Sequence, residues 1–458
     1  MNSSLIDRMR TEKCRYVSVD LFSGPGGLCT GFKWAGILPL IAVEWTDTTV
    51  QTYSVTHDAE VFELSKYIVD GKFNNDYLNE FTKESTKTLM IHGDINQVSS
   101  ELIKAFLLSR YGIDSDNETV DVVSGGAPCE SFSIAGTRTA NDERDDLFSN
   151  ILRISRVLKT KMILFENVKG LLSKGKDGKK GAIFEYICNS FEDENASITY
   201  KLVSRKPEEI LLKASDYGVP QLRERLFLVG IRSDLTNVQF NYPKETNGPS
   251  VGEPFISSWE AISDLPQVEM SEESTYYDNR DKKSKFVSIM RGEYEDADIH
   301  ATTPIHLLEK GLYDRNSLSS HKGPGHIKRK QELLALIDVG ESMKSTFNKL
   351  AEKDEIDKYR HLFPNTIYGS RNRRLLVDEP SFTVTSHCLD EILHPYLNRA
   401  ITPREAARLQ SFPDWYQFYG PYVQFHGDKE QDRYEQIGDA IPPLLAYAMA
   451  RAIIKALD

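Results

Sequence analysis

The sequence predicts an α/β protein, a doubly wound, mostly parallel sheet with a second, smaller domain. Two observations set the sheet. Short apolar runs alternate with helical stretches from Tyr16 to Arg232, and the chemically unusual residues fall just after those runs. Ligands of parallel sheets bind outside the carboxyl ends of the strands. A third observation adds the second domain: 458 residues are too many for one ordinary domain and suit two.

The runs YVSVDLF, PLIAVEW, TLMIHGD, VDVVSGG, KMILFEN and RLFLVGI are nearly continuous in apolar residues and read as buried strands. Between them, Ser99–Arg110 and Leu147–Lys159 space their apolar residues near the helical period. Such alternation implies a sheet with helices on both faces. After about Asn241 the texture changes, and to Leu397 Pro, Gly and charge scatter without a sustained period. The expected division is therefore 1–239, 240–397 and a C-terminal segment 398–458. In TPREAARLQSF, Thr402 is an N-cap, Pro403 opens the first turn and Glu405 stands three residues after the cap, so a helix starts there. A last helix, from about Pro443 to Leu457, is apolar enough to pack back on the first domain.

Composition narrows the class. The apolar and charged content is that of a soluble globular protein. No apolar run reaches membrane-spanning length, and the late stretch Ile441–Ile454 holds Pro442, Pro443 and Arg451, so no membrane partner is expected. Met1–Lys13 is polar and lacks a signal-peptide core. Cys14, Cys29, Cys129, Cys188 and Cys388 form no CxxC pair, which argues against structural zinc and disulfides and for a reducing cytoplasm. The formal net charge of −12 does not advertise a nucleic-acid binder. Local basic clusters exist in HKGPGHIKRK (321–330) and at Arg371, Arg373 and Arg374. Solvated surface explains each cluster equally well, so charge does not decide the function.

Chemistry gathers at the strand ends. DLFSGPGGL places Gly24, Gly26 and Gly27 in a turn that lets backbone approach a ligand. A dinucleotide fingerprint needs Gly at 29, where Cys29 stands, which disfavours a pyrophosphate cradle and a nicotinamide enzyme. The turn suits an amino-acid carboxylate as well. Glu44 closes the second run where an acid can bind ribose hydroxyls, and Asp94 follows the third, placed to accept from an exocyclic amine. Each alone is more often a helix cap. Cys129 lies in GGAPCESFS on a loop after a strand; a lone cysteine is usually inert and buried, yet this position exposes it to substrate. NDERDD (141–146) follows in a polar stretch with the composition of a mobile lid. Glu166 ends the fifth run in FENV, where partial burial would raise its pKa and suit it to donate a proton. Gln221, Arg223 and Arg225 alternate into a strand, which would put all three on one face.

In order, DLFSGPGG, Glu44-Trp45, GDI, GGAPCESFS, FENV, QLRER, TPREAARLQSFPD and QIGDAIPP resemble the motif set of the cytosine carbon-5 DNA methyltransferases. The resemblance covers Tyr16–Arg232 and Asn398–Asp458. It implies a Rossmann-like methyltransferase sheet that binds S-adenosylmethionine through Phe22, Gly24, Gly26, Gly27, Glu44, Trp45, Asp94, Ile95, Pro128, Leu147 and Asp439. Phe22 and Trp45 would contact adenine. Cys129 would attack carbon 6 of cytosine, Glu166 would bond ring nitrogen 3 and Arg225 the carbonyl oxygen, with Arg223 bracing the catalytic loop or a phosphate. The loop Pro128–Asp146 would close over double-stranded DNA, with Ser133, Arg144 and Gln221 as DNA contacts. Residues 240–397 would recognise the target, VDEPSFTVTS (377–386) marking their end. The cytosine must be flipped from the helix to be reached.

The sequence departs from the family at Glu130, where Gln is commoner, and at Asp439, where Asn is commoner. The stretch between Trp45 and Gly93 is longer than the usual spacer and reads as a helical insertion. A monomeric enzyme of prokaryotic type is expected, compatible with a companion restriction endonuclease. A tRNA-methylating relative would carry a Cys-Phe-Thr motif that is not found here. A non-catalytic nucleic-acid-binding protein of this fold would have no need of Cys129, Glu166 and Arg225 together.

Overall fold

The computed structural model describes residue 9 and residues 14–115, 117–127, 147–175, 179–277, 284–423 and 430–458. They form two compact units. The first comprises 1–213, 224–244 and 446–458, the second 214–223 and 245–445.

The first unit is built on nine strands: β1 (Tyr16–Leu21), β2 (Ile37–Glu44), β3 (Glu60–Glu63), β4 (Leu89–His92), β5 (Val122–Gly125), β6 (Met162–Val168), β7 (Tyr200–Leu202), β8 (Leu211–Lys213) and β9 (Glu224–Arg232). Their order is β8-β9-β6-β5-β1-β2-β4-β3, with β7 also paired to β9. β3, β4, β2, β1, β5 and β6 run parallel, and β9 reverses against β6. The chain winds outward from β1 both ways, so the order switches between β1 and β5, the place where such sheets bind ligands. In β1, Val17, Val19 and Leu21 and the alternate Ser18 and Asp20 are all buried, as expected of a strand covered on both faces. The helices α1 (Gly27–Ala35), α2 (Asp47–His57), α3 (Ser100–Tyr111), α4 (Leu147–Val157) and α5 (Ala182–Phe191) connect the strands. Phe106, Ile151, Ile154 and Phe191 from α3, α4 and α5 join the core.

The long spacer after Trp45 is not simply helical. It supplies β3, an additional parallel edge strand beside β4, followed by a two-residue ladder (Ile68–Val69 with Lys72–Phe73) and the short helix Asn75–Phe81. Phe62 anchors it, its ring packed on Tyr67, Tyr77, Phe81 and Phe106.

The second unit is mostly loops and short helices, which is why no period was legible in 242–397. The return to the first unit comes at Ala446 rather than at 398. Buried charge keeps the intervening segment in the second unit. On α6 (Pro403–Leu409), Arg408 pairs with Asp264 at 2.9 Å and with Asp414 at 2.6 Å, and Arg291 reaches Asp264 at 2.8 Å. All four are essentially without exposure. Burial raises the Asp264 pKa, and the adjacent guanidiniums more than offset this, holding the carboxyl below its ordinary range. Removing one partner of such a set leaves an uncompensated buried charge and costs about 3–5 kcal/mol.

The stretch Arg433–Leu457 is long and apolar enough to cross a membrane by length and composition alone. It is broken into α7 (Arg433–Asp439) and α8 (Pro443–Leu457), and Leu445, Ala446, Met449, Ala450 and Ile453 are fully buried along one face of α8. That is the pattern of a core helix.

Candidate active site

After β1 the chain turns through Phe22, Gly24 and Gly26, with φ of 57°, 55° and 97°, before α1 begins at Gly27. Glycine takes these left-handed values freely, whereas Phe22 is held in a sparsely populated region. Gly24 N donates to Glu44 Oε2 (2.9 Å), while Glu44 Oε1 accepts from Trp45 N (2.8 Å) and Thr46 N (3.1 Å). Glu44 thus ties the glycine turn to the end of β2. A carboxylate has about four acceptor positions, so capacity remains for a ribose hydroxyl. Trp45 is 48% exposed and offers a flat apolar face to a purine. Asp94 does cap the turn Ile95–Gln97, its Oδ1 accepting from Asn96 N at 2.9 Å. Ile95 is buried, and Leu147 is partly buried at the start of α4.

Cys29 stands where a dinucleotide fold would have glycine because its thiol is used inside. Cys29 Sγ donates to Asp20 Oδ2 (3.1 Å) and lies 3.0 Å from Tyr53 Oη, and Ser124 Oγ donates to Asp20 Oδ1 (2.8 Å). Burial pushes the Asp20 carboxyl up to about 7, and the charge of Glu44 adds to the push.

On the other side of the switch point, Glu166 Oε1 pairs with Arg225 Nε at 2.8 Å, both side chains nearly buried. Gly126 abuts this pair: a β-carbon there would lie 2.6 Å from Glu166 Oε2. Asn167 Nδ2 donates to the Ala127 carbonyl at 3.1 Å. The strand that carries Glu166 therefore grips the chain just before residue 128. Pro128, Cys129, Glu130, Ser133 and Arg144 lie outside the described residues. Asn167 carries no role that the pattern FENV assigns to it; its only signal in the sequence is an amide next to the candidate acid.

The expectation that Gln221, Arg223 and Arg225 share one strand face is corrected. β9 begins only at Glu224, and Gln221 and Arg223 lie in the second unit with no exposed surface. Gln221 Nε2 donates to Leu409 O (2.8 Å) and Gln410 Oε1 (2.7 Å), and Val384 N donates to Gln221 Oε1 (3.0 Å). Arg223 donates to the carbonyls of Val384 (2.6 Å), Gly438 (2.7 Å) and Ala440 (3.2 Å). Enclosed as they are, Gln221 has nothing to offer DNA, and Arg223 braces the backbone of its own unit rather than a phosphate. Asp439 is exposed at the end of α7, also in the second unit, accepting from Gln431 at 3.1 Å.

The profile of the C-5 cytosine-specific DNA methylase family matches residues 81–455. The type II methyltransferase M.DdeI of Desulfomicrobium norvegicum is 30% identical over 438 residues, 95% of this chain and 88% of that protein. M.XorII of Xanthomonas oryzae pv. oryzae is 29% identical over 449 residues, 97% of this chain and 85% of that one. Among solved structures, a putative DNA modification methyltransferase encoded within an E. coli prophage superposes with a TM-score of 0.64 at 24% identity, covering 96% of this chain and 99% of its own. That likeness bears on the fold alone.

Proposed function

The chain belongs to the family of C-5 cytosine-specific DNA methylases, and on that premise we propose that it methylates cytosine within a specific duplex site by way of Cys129, as the modification enzyme of a type II restriction-modification pair. The methyl donor is S-adenosylmethionine, which supplies an electrophilic methyl group. Phe22 and Trp45 would flank its adenine, Glu44 would hold the ribose, and the glycine turn would receive the amino-acid end. The residues fit it: an acid with spare acceptor capacity stands beside an exposed indole at the end of β2.

The observation that carries the reading is the grip of Glu166 and Asn167 on Gly126 and Ala127, because it sets the start of the Cys129 loop beside the Glu166–Arg225 pair. Carbon 5 of cytosine is a poor nucleophile. Addition of the Cys129 thiolate to carbon 6, with Glu166 at nitrogen 3 and Arg225 at the carbonyl oxygen, moves the ring electrons onto carbon 5, which takes the methyl group. Loss of the carbon-5 proton then expels the thiolate and restores the ring. Recognition of the site falls to the second unit. There Lys358, Arg360, Arg371 and Arg373 lie within 358–377, a stretch without Asp or Glu in a chain of net charge −12. Tyr368, 55% exposed, stacks with Arg371 at 5.6 Å, a pairing suited to phosphates and base faces. A monomer acting in the cytoplasm beside a companion endonuclease completes the proposal.

Cys129→Ala should abolish methyl transfer and keep DNA binding, since affinity rests largely on phosphate contacts. On DNA with 5-fluorocytosine at the target, the wild type should form a denaturation-resistant adduct, because fluorine cannot leave as a proton does. An equal adduct with the variant would show that another residue attacks.

A further inference from the structure

The insertion between Trp45 and Gly93 touches the candidate cofactor site at two places. Glu44, His92 and Glu63 are register partners at the carboxyl ends of three adjacent parallel strands, β2, β4 and β3. His92 sits between the other two. Its Nδ1 lies 2.8 Å from Glu63 Oε2, and its Nε2 lies 3.1 Å from the Trp45 carbonyl and 3.0 Å from Asp47 Oδ1. Through these contacts the ring joins the inserted strand to the Trp45 turn. Glu63 is itself fixed, its backbone N donating to Tyr77 Oη at 2.9 Å, next to the aromatic cluster around Phe62. The second touch is at Gly93, where a β-carbon would lie 2.7 Å from Leu64 Cβ. Gly93 connects His92 to Asp94, and its N donates to the Glu44 carbonyl at 2.9 Å.

We infer that Glu63 and His92 are positioning residues for cofactor binding: the inserted strand braces the turns that carry Trp45 and Asp94 in the place an adenosine requires. Neither residue touches the reacting atoms. A ligand that binds between preset turns loses less conformational freedom than one that must order them. The effect therefore belongs to cofactor affinity and not to the chemical step. The inference rests on the reading that Trp45 and Asp94 flank the adenosine of the methyl donor.

The test measures S-adenosylmethionine affinity by calorimetry, with KM for the donor and kcat on substrate DNA, in the full-length protein. His92→Ala should raise Kd and KM about tenfold, with kcat within twofold and the melting temperature kept. Glu63→Ala should act in the same direction, and the double variant should be no worse than His92→Ala, because the two residues work in series. Glu63→Gln, which keeps an acceptor oxygen, should recover much of the loss and covers the case in which an alanine variant folds poorly. Unchanged donor affinity in folded His92→Ala, or a fall in kcat and melting temperature without a change in KM, overturns the inference. Glu44→Ala run alongside separates two failures. If it weakens the donor while His92→Ala does not, only the bracing role falls; if neither matters, the site assignment falls with it.

Discussion

A β-carbon at Gly126 would lie 2.6 Å from Glu166 Oε2, closer than real β-carbons approach. Something must shift, and the movable group is the carboxylate that pairs with Arg225. Gly126→Ala should therefore leave the melting temperature within a few degrees and lower kcat by about tenfold to a hundredfold, the scale of misplaced catalytic geometry. Comparing kcat with thermal unfolding checks it; full activity in the variant would show that Glu166 is not held there during the reaction. Glu44 illustrates the reverse case, a side chain already holding three backbone amides and still open to a ligand. Asp94 is both a cap and a candidate ligand, so the structural and functional readings of one residue are not exclusive.

Among the elements, α6 was the most legible. Thr402 Oγ1 accepts from Glu405 N (3.1 Å), and Thr402 N donates to Glu405 Oε2 (2.8 Å), the reciprocal cap that the sequence predicted. What surrounds the cap was not legible. Arg399 donates to both oxygens of Glu405, and two histidines nearby are held neutral. His394 Nδ1 accepts from Tyr396 N (3.2 Å) and Leu397 N (3.0 Å), and His326 Nε2 accepts from Ala400 N (3.2 Å). Burial chiefly, with the neighbouring cations, lowers both pKa values to about 4 from the ordinary 6.5. Below 6.5 the unfolded chain binds protons that the folded histidines refuse, so folding stability is present above 6.5 and is lost as pH falls through about 4. Denaturant unfolding between those values should show that loss in the wild type and a shallower one in His394→Gln. Parallel pH profiles would indicate that His394 is not held neutral.

For the whole molecule, the division at 245–445 matters to any attempt to transfer specificity. An exchange of 240–397 with a relative takes Asp264 and Arg291 from one sequence and leaves Arg408 and Asp414 from the other, across a fully buried network. An exchange of 245–445 keeps the network whole. It also spares Gln221 and Arg223, most of whose partners are main-chain groups that any segment of the same backbone supplies. The longer hybrid should fold and methylate the donor's site, whereas the shorter should melt lower or be insoluble. Base-resolution methylation mapping and thermal unfolding of both hybrids check this. A longer hybrid that is active at the original site would place recognition outside the second unit.

The sequence by itself determined the parallel sheet, the glycine turn, the strand-end acids, the capped helix at Thr402 and the final helix. Each of these follows from local pattern: apolar runs, turn residues, a cap and its partner three residues on. It also determined the family, through motifs whose order survives although each one is weak. Only the tertiary structure decided which charges face a ligand and which serve the interior. Arg223 and Arg374 read as cations for a phosphate or a solvated surface, yet they are buried against carbonyls drawn from far along the chain, and Arg408 is buried against carboxylates. The use of the long spacer was likewise invisible. Glu63, His92 and Trp45 meet only because parallel strands bring distant residues into register at one edge, and such pairing leaves no mark on the local sequence.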